Sequence, residues 1–256
     1  MLFLIGLGLS FKDVSLRAMD AVRKADVLLL ESYTSFLPEG YVDFIEKEAG
    51  KKAVALSRQD LEDSVKATVG MSKEKDVALL VPGDPLVATT HHLIINTARE
   101  LGIEVEVFHS ASAFTAAIGE SGLDIYRFGP TATVPFWFDN YRPTSFLDVI
   151  RRNLENNEHT LVLLDIDQKG RRPMGIGEAV DIMKAAEEKL GCGVIRGDLK
   201  LVILANAGRA DREIKYLVVD EIGDEIKSSL SGKAIALVVP ARMSFAEEEN
   251  LMSAIT

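Results

Sequence analysis

Residues 77–90 form the stretch Val77-Ala-Leu-Leu-Val-Pro-Gly-Asp-Pro-Leu-Val-Ala-Thr-Thr90, which indicates the architecture most clearly. Five apolar residues predict a buried strand, and Pro82-Gly-Asp-Pro85 predicts the turn that ends it. A helix is expected from His91 to Leu101, starting among small and hydroxyl residues. The turn is then expected to expose the carboxylate of Asp84 beside the helix N-terminus and its unpaired amides, where a ligand with charges of both signs can bind. A plain β-turn with Asp84 as a local cap explains the same residues, and the motif alone does not decide between the two.

Similar short apolar runs lie on both sides of this stretch, separated by helical segments. Among the helical segments, the one after Ser15 has Leu16, Met19 and Val22 spaced for one buried face, with Ser15 or Asp13 available as its N-cap. Strands without alternating polarity, connected by helices, favour a parallel sheet covered on both faces. The predicted strands are residues 2–5, 27–30, 53–56, 77–81 and 105–108, and further helices are predicted for 41–48 and within the sixties.

The pattern changes in the second half of the chain. Residues 121–146 are rich in glycine, proline and aromatic residues. A boundary near residue 110 would divide the chain into two α/β units, and 121–146 fits an elaborated loop equally well. Beyond them, helices are predicted at 146–154 and 177–190, and strands at 160–164, 201–205, 216–219 and 235–239. We therefore expect an α/β fold with two α/β domains, 1–110 and 111–256, and make no prediction of strand order.

Composition limits the classes of function. The 256 residues are 47% hydrophobic and 27% charged, which supports a full core and excludes disorder as the main state. The net charge of −10 argues against sequence-independent nucleic-acid binding. The single cysteine, Cys192, favours a reducing compartment. There is no apolar run of about 20 residues and no basic n-region at the N-terminus, so we expect a cytoplasmic protein that does not enter membranes.

A glycine turn, Gly6-Leu-Gly8, follows the first predicted strand. Glycines there permit a sharp turn and close approach of a ligand at the sheet edge. Glu31, at the end of the second strand, stands about where a ribose-binding acid belongs in a dinucleotide fold. The dinucleotide fingerprint, however, requires a third glycine at the position of Phe11. Taken alone, the turn serves chain geometry as well as it serves a cofactor.

A third small, polar turn, Ser110-Ala-Ser-Ala113, follows the strand at 105–108. Ser112 considered singly is a helix cap. Three such turns after three strands of one sheet meet at one edge, because the carboxyl ends of parallel strands lie together. The sequence therefore predicts a groove for a nucleoside-sized ligand.

Other kinds of site have little support in the sequence. The histidines at 91, 92, 109 and 159 lack metal-ligand spacing, so no metal site is predicted. There is no P-loop, no Gly-x-Ser-x-Gly elbow and no Cys/His nucleophile pair. The run Glu247-Glu-Glu249 reads as a solvated helix face. The aromatic residues Phe136-Trp-Phe138 fit a core, a dimer interface or a substrate contact equally well.

Seven motifs together resemble the diphthine synthase family, in the tetrapyrrole-methylase-like class of S-adenosylmethionine-dependent methyltransferases. In chain order they are IGLGL at 5–9, ESYTS at 31–35, LSRQD at 56–60, PGDPLVATTH at 82–91, TLVLLDI at 160–166, LANAG at 204–208 and VVP at 238–240. They span nearly the whole chain, and PGDPLVATTH is the most specific of them.

The resemblance implies a fold and an activity. It implies two α/β domains with S-adenosylmethionine in the cleft between them, and a homodimer. It implies repeated methylation of the amine of a 3-amino-3-carboxypropyl group on a histidine of translation elongation factor 2, which forms diphthine in diphthamide biosynthesis. The alternatives are a same-fold methyltransferase acting on a corrin precursor or ribosomal RNA, a nicotinamide-dependent oxidoreductase and a nucleoside-binding module.

The resemblance also implies site residues. The cofactor-binding positions carry over to Leu9, Asp84, Val87, Ser112, Ala113, Leu164, Ala207 and Ile235. No catalytic base is assigned, since an amine needs only to lose a proton before it attacks an activated methyl group. Asp165 is a candidate for orienting that amine, and residues 121–146 are expected to form part of the surface that docks the protein substrate.

Overall fold

The computed structural model describes residues 1–33, 37–167 and 172–256, so Thr34 and Ser35 of the ESYTS motif lie outside the described residues. The chain divides into two compact units, Met1–Ser112 and Ala113–Thr256. Each unit is built on its own five-stranded sheet. Within the described residues, no helix has the length and apolar character needed to cross a membrane.

The sheet of the first unit is parallel throughout, as the sequence predicts. Its strands are β1 (Leu2–Gly6), β2 (Val27–Glu31), β3 (Ala53–Leu56), β4 (Val77–Val81) and β5 (Val105–Phe108). Their order is β3-β2-β4-β1-β5, and each neighbouring pair is parallel. The carboxyl ends of β4, β1 and β5 are consequently adjacent.

Helices cover both faces of this sheet, which is why its central strands read as uninterrupted apolar runs. They are α1 (Leu16–Lys24), α2 (Tyr41–Ala49), α3 (Arg58–Glu62), α4 (Val65–Gly70) and α5 (His92–Glu100). Alternate residues of β1 enter opposite clusters: Phe3 and Ile5 pack with α1 and α2, whereas Leu2 and Leu4 pack with the helices that follow β3 and β4.

The predicted buried face of α1 is partly wrong. Ser15 caps the helix by accepting a hydrogen bond from the Ala18 amide at 3.1 Å, but Leu16 is 87% exposed. The buried residues include Ala18, Met19 and Val22. Successive residues rotate about 100° around a helix, so Leu16 lies well off the face centred between Ala18 and Val22.

The second unit has a mixed sheet. Its strands are β6 (Ala132–Val134), β7 (Thr160–Leu164), β10 (Lys200–Ala205), β11 (Glu213–Val218) and β12 (Ile235–Val239), in the order β11-β10-β12-β7-β6. Among the described strands of this second sheet, only the β6–β7 pair is parallel. Two short strands, β8 (Ile166–Asp167) and β9 (Arg172–Pro173), form a separate antiparallel pair. The strand β6 lies inside residues 121–146, where the sequence predicts no strand.

The helices of this unit are α6 (Ala113–Glu120), α7 (Ser145–Glu155), α8 (Ile176–Leu190), α9 (Asp224–Ser229) and α10 (Phe245–Ala254). One apolar cluster packs α7 and α8 on the sheet, and a second contains residues of α6 and α10. Phe136 and Trp137 pack against the first cluster, whereas Phe138 is exposed.

The acidic run on α10 is not wholly solvated, contrary to the prediction. Glu247 is 3% exposed, while its neighbours Glu248 and Glu249 are exposed. Its carboxylate lies 2.8 Å from His159 Nε2 and accepts hydrogen bonds from Arg127 and from the Ser244 amide. A charged residue becomes buried here because it receives a full set of donors.

Candidate functional site

Three turns meet at the carboxyl edge of the first sheet, as predicted. The Gly8 amide donates to the Gly83 carbonyl at 3.1 Å, and the Gly83 amide donates back to the Gly8 carbonyl at 2.9 Å. The third turn joins them through the Ser110 amide, which donates to Asp84 Oδ2 at 3.1 Å. The turns after β1, β4 and β5 are thus fastened directly to one another.

Asp84 occupies the centre of this edge, but its surroundings differ from the prediction. Its side chain is buried, Oδ1 accepts from the Leu86 amide at 2.9 Å, and Oδ2 lies 2.9 Å from His109 Nδ1. The helix α5 begins only at His92, so residues 85–91 separate the carboxylate from the helix. Asp84 is therefore a buried clamp between two turns and not an exposed acid at a helix N-terminus.

The backbone amides that follow the glycine turn after β1 already bind a carboxylate of the chain. Asp13 Oδ2 accepts hydrogen bonds from the amides of Leu9 and Ser10 at 2.9 and 2.8 Å. In a dinucleotide fold the turn leads straight into a helix whose N-terminus holds the pyrophosphate. Here α1 begins only at Leu16, and Asp13 takes the donors of the turn. This geometry disfavours the nicotinamide-dependent alternative.

Four of the predicted cofactor positions belong to the first unit and follow three adjacent strands. Leu9 comes after β1, Asp84 and Val87 after β4, and Ser112 after β5. Leu9 and Ser112 are buried, and Val87 is half-buried. Ala88, next to Val87, has a φ of +56°, a left-handed conformation that residues other than glycine seldom adopt. Such strain is concentrated at functional segments.

The other four positions belong to the second unit, and three of them share one edge of its sheet. Strand β10 ends at Ala205, two residues before Ala207, and Ala205 pairs with Ile235 at the start of β12. Strand β12 also pairs with β7, which ends at Leu164. Ala113 begins α6, which packs against β7 and β12.

Asn206, beside Ala207, has a φ of +52°. The backbone amide of Asn206 donates to the Ala234 carbonyl at 2.7 Å, and Asn206 Oδ1 accepts from the Ala234 amide at 3.1 Å. In each unit, therefore, a residue in a left-handed conformation adjoins a predicted cofactor position.

Asp165 follows β7, and its carboxylate accepts hydrogen bonds from two backbone amides. Its Oδ2 accepts from the Phe136 amide at 3.0 Å, and its Oδ1 accepts from the Ile166 amide at 2.8 Å. The carboxylate thereby fixes the aromatic segment at the end of the sheet. Its predicted role in orienting an amine stays a prediction.

A polar cluster that the sequence analysis did not predict lies beside the three turns. Glu31, at the end of β2, is fully buried, and its carboxylate accepts a hydrogen bond from the Tyr33 amide. His91, at the end of the β4 turn segment, is 1% exposed, with Nδ1 2.9 Å from the Pro85 carbonyl oxygen. The sequence motifs include Glu31 and His91, but spacing did not predict that the two belong to one cluster, because the order of the strands brings their segments together.

The chemistry of the predicted set suits a nucleoside. It offers one carboxylate, one hydroxyl, backbone groups and aliphatic side chains, and it contains no basic residue. Sugar hydroxyls donate to a carboxylate, and a purine ring packs on aliphatic side chains, whereas phosphates require cations or free amides. Among the described residues, no group of three His, Cys, Asp or Glu side chains is arranged to hold a metal ion.

Comparison with known proteins shows similarity over nearly the whole chain. The profile of the tetrapyrrole (corrin/porphyrin) methylases matches residues 1–223. The chain is 39% identical to a diphthine synthase of Methanothermobacter thermautotrophicus, covering 98% of this chain and 94% of the relative. It is 35% identical to a diphthine synthase of Methanocaldococcus jannaschii, covering 98% and 97%. A crystal structure of diphthine synthase superposes with a TM-score of 0.86 at 35% identity, covering 99% of this chain and 95% of the other.

Proposed function

The chain belongs to the family of tetrapyrrole (corrin/porphyrin) methylases, and from this membership we infer that it is an S-adenosylmethionine-dependent N-methyltransferase of diphthamide biosynthesis. Its acceptor is the 3-amino-3-carboxypropyl group on a histidine of translation elongation factor 2. Repeated methylation of the amine in that group forms diphthine. Full-length similarity to diphthine synthases favours this acceptor over a corrin precursor or ribosomal RNA.

The observation that carries the proposal is the joined set of three turns. Paired hydrogen bonds between Gly8 and Gly83, together with the Asp84–Ser110 contact, fix the carboxyl edge of β4, β1 and β5. A rigid edge of this kind suits a reaction that depends mainly on positioning. We propose that the methyl donor binds through Leu9, Asp84, Val87 and Ser112 of the first unit and through Ala113, Leu164, Ala207 and Ile235 of the second.

The division of chemical work follows from the donor. A sulfonium supplies an already activated methyl group, so the reaction needs neither a metal nor an enzyme nucleophile. The residues of the chain have to hold the acceptor amine in line with the methyl group and keep water out. Such positioning contributes roughly 7–11 kcal/mol in well-oriented systems. An α-amino group has a pKa of about 7.7–8.0, so the amine must also lose a proton near neutral pH.

A mass measurement tests the acceptor. Elongation factor 2 carrying the unmethylated 3-amino-3-carboxypropyl-histidine is incubated with the protein and S-adenosylmethionine, and its intact mass is recorded. We expect increases in whole methyl units. No increase, despite calorimetric binding of S-adenosylmethionine, would redirect the search to another acceptor, while binding of NAD instead would remove the methyltransferase assignment.

Substitution of Asp84 tests the donor site. Because Asp84 both clamps two turns and faces the proposed site, we expect Asp84→Asn to weaken S-adenosylmethionine binding and to lower the free energy of unfolding by about 1–3 kcal/mol. Glu187→Gln is the matched control, since Glu187 also accepts backbone amides, those of Val194 and Ile195, but none of these residues has a proposed contact with the donor. Equal loss of affinity in both variants would show that Asp84 acts through stability alone.

The proposed partners complete the assignment. We propose that the protein works in the cytoplasm as a homodimer and binds elongation factor 2, without nucleic acid or membrane. The net charge of −10 supports the absence of nucleic acid. Light scattering during size-exclusion chromatography checks the dimer, for which the expected mass is twice that of one chain, 28.0 kDa.

A further inference from the structure

The histidine at the end of the β4 turn segment is held in one tautomer. His91 Nδ1 lies 2.9 Å from the Pro85 carbonyl oxygen, which can only accept, so Nδ1 carries the proton. The neutral ring then has a lone pair at Nε2. This atom is buried and has no hydrogen-bond partner among the residues that the structure describes. A buried acceptor without a donor costs free energy unless a ligand supplies one.

A second unsatisfied polar atom accompanies it. The Tyr33 hydroxyl, two residues beyond β2, is also buried and lacks a partner within the described part of the chain. Both rings interact electrostatically with Glu31 and Glu62. Arg58 pairs with Glu62 at 2.8 Å and balances part of its charge. The Tyr33 amide donates to Glu31, and the hydroxyl of Thr90, the residue before His91, donates to Glu62 Oε1 at 3.3 Å. A carboxylate therefore lies next to the chain segment of each unpartnered atom.

Strand order places this region beside the proposed donor site. β4 lies between β2 and β1, and its turn carries both Asp84 and the Pro85 carbonyl that holds His91. The three joined turns follow β4, β1 and β5, whereas Glu31 ends β2, on the other side of β4, and Tyr33 comes two residues later. The two sets of residues are thus neighbours that share one turn.

The chemistry of the cluster matches an amine. Carboxylates attract an ammonium ion, and an imidazole lone pair accepts its proton. Burial lowers the pKa of His91, while Glu31 and Glu62 act in the opposite direction, and the net effect keeps the ring neutral at pH 7. A neutral ring is the form that can take up a proton.

We propose that His91, Tyr33, Glu31 and Glu62 form the binding subsite for the acceptor amine, and that His91 Nε2 removes its proton. The proposal rests on the proposed function. The ammonium gives a proton to Nε2, and the amine nitrogen uses the freed electron pair to bond the methyl carbon. The carbon–sulfur bond breaks, and its electron pair stays on sulfur. The imidazolium passes the proton to water before the next methylation.

The test compares His91→Asn with His92→Asn. An asparagine amide can still donate to the Pro85 carbonyl but has no basic nitrogen, and His92 is an adjacent, exposed histidine. Single-turnover methylation of elongation factor 2 is followed from pH 6 to pH 9. We expect His91→Asn to slow the reaction about 100-fold or more at pH 7 and to recover as the amine deprotonates by itself at high pH. His92→Asn should match the wild type.

Two measurements do not depend on turnover. Nitrogen-15 NMR of the wild-type protein at pH 7 should show His91 protonated at Nδ1 and unprotonated at Nε2. Calorimetry should show equal S-adenosylhomocysteine affinity in the wild type and both variants. Tyr33→Phe removes one hydroxyl without changing the shape of the ring, and it should raise KM for elongation factor 2 about tenfold.

The outcomes separate the two proposals. A proton on Nε2, or a His91→Asn variant with the wild-type rate and pH profile, overturns the amine subsite and leaves the methyltransferase assignment standing. A wild-type protein that adds no methyl group overturns the proposed function and this subsite with it. A folded Tyr33→Phe variant with unchanged KM removes Tyr33 from the subsite.

Discussion

Gly8 shows that a glycine in a binding turn can be required by the protein itself. Its φ is +75°, and a Cβ added there would lie 2.2 Å from Asp13 Cβ. From the sequence alone, this glycine fits chain geometry and the close approach of a ligand equally well. In the structure, the missing side chain makes room for Asp13, which accepts the two amides after the turn. Close approach within the chain explains the glycine.

Gly8→Ala is therefore expected to destabilise the protein before any ligand is added. A left-handed backbone costs about 1–2 kcal/mol for alanine, and the overlap with Asp13 adds roughly 1–3 kcal/mol. Gly40→Ala is the matched control, because Gly40 has the same φ and, among the residues that the structure describes, the atom nearest to its added Cβ would be Phe11 Cζ at 3.8 Å. Urea unfolding of both variants measures the difference. Equal losses would mean that the overlap relaxes at no cost.

Asp84 shows what the sequence could and could not predict about a residue in the site. The PGDP turn fixes its position at the carboxyl end of β4, because two prolines and a glycine cannot continue a strand. Its burial depends on the Ser110 amide, which arrives from a strand that is distant in sequence. Spacing within a motif carries no information about such a contact.

At the scale of elements, α10 departs most clearly from its sequence pattern. Glu247 lies on the same helix as the exposed Glu248, yet it is buried against His159. Burial raises the pKa of Glu247, but hydrogen bonds from Ser244, His159 and the Asp124 amide outweigh it and lower the pKa to about 2. Burial lowers the pKa of His159 more than the hydrogen bond with Glu247 raises it, so the pKa of His159 lies below its ordinary value.

These shifts predict that acid weakens the second unit. His159 favours the folded state above its ordinary pKa of 6.5, and this contribution declines as the pH falls below that value. The contribution of Glu247 is present above its ordinary pKa of 4.5 and is lost as the pH falls toward about 2. At pH 7, Glu247→Gln should lower the free energy of unfolding by about 2–4 kcal/mol.

Denaturant unfolding at several pH values checks this expectation. The difference between wild type and Glu247→Gln should be constant near neutral pH and shrink between pH 4.5 and pH 2. Glu248→Gln, an exposed change on the same helix, should stay within about 0.5 kcal/mol of wild type throughout. A similar loss in both variants would assign the effect to the net charge of α10.

The relative direction of paired strands was predicted correctly in the first unit but could not be predicted in the second, for one physical reason. Apolar clusters cover both faces of each sheet, so β7, β10 and β12 read as continuous apolar runs, just as the parallel strands do. Such runs establish that a strand is buried on two sides and leave its direction open. Antiparallel pairing of β12 with β10 and β7 had to come from the structure.

At the scale of the whole molecule, residues 121–146 have the features of a surface that meets another protein. Ile125, Tyr126, Phe138 and Tyr141 are large apolar or aromatic side chains that remain exposed, and Tyr126 is 94% exposed. Exposed aromatic residues are enriched among the residues that dominate binding energy at protein interfaces. This supports the proposal that the segment docks elongation factor 2.

Tyr126→Ser tests the docking surface. If the segment binds the protein substrate, KM for elongation factor 2 should rise about 5- to 30-fold, which corresponds to about 1–2 kcal/mol, with kcat and S-adenosylmethionine affinity unchanged. Leu16→Ser is the control, because Leu16 is 87% exposed but lies in the first unit, outside the segment. A change of oligomeric mass in light scattering would instead assign Tyr126 to the interface between copies of the chain. An unchanged KM together with an unchanged mass would exclude it from both surfaces.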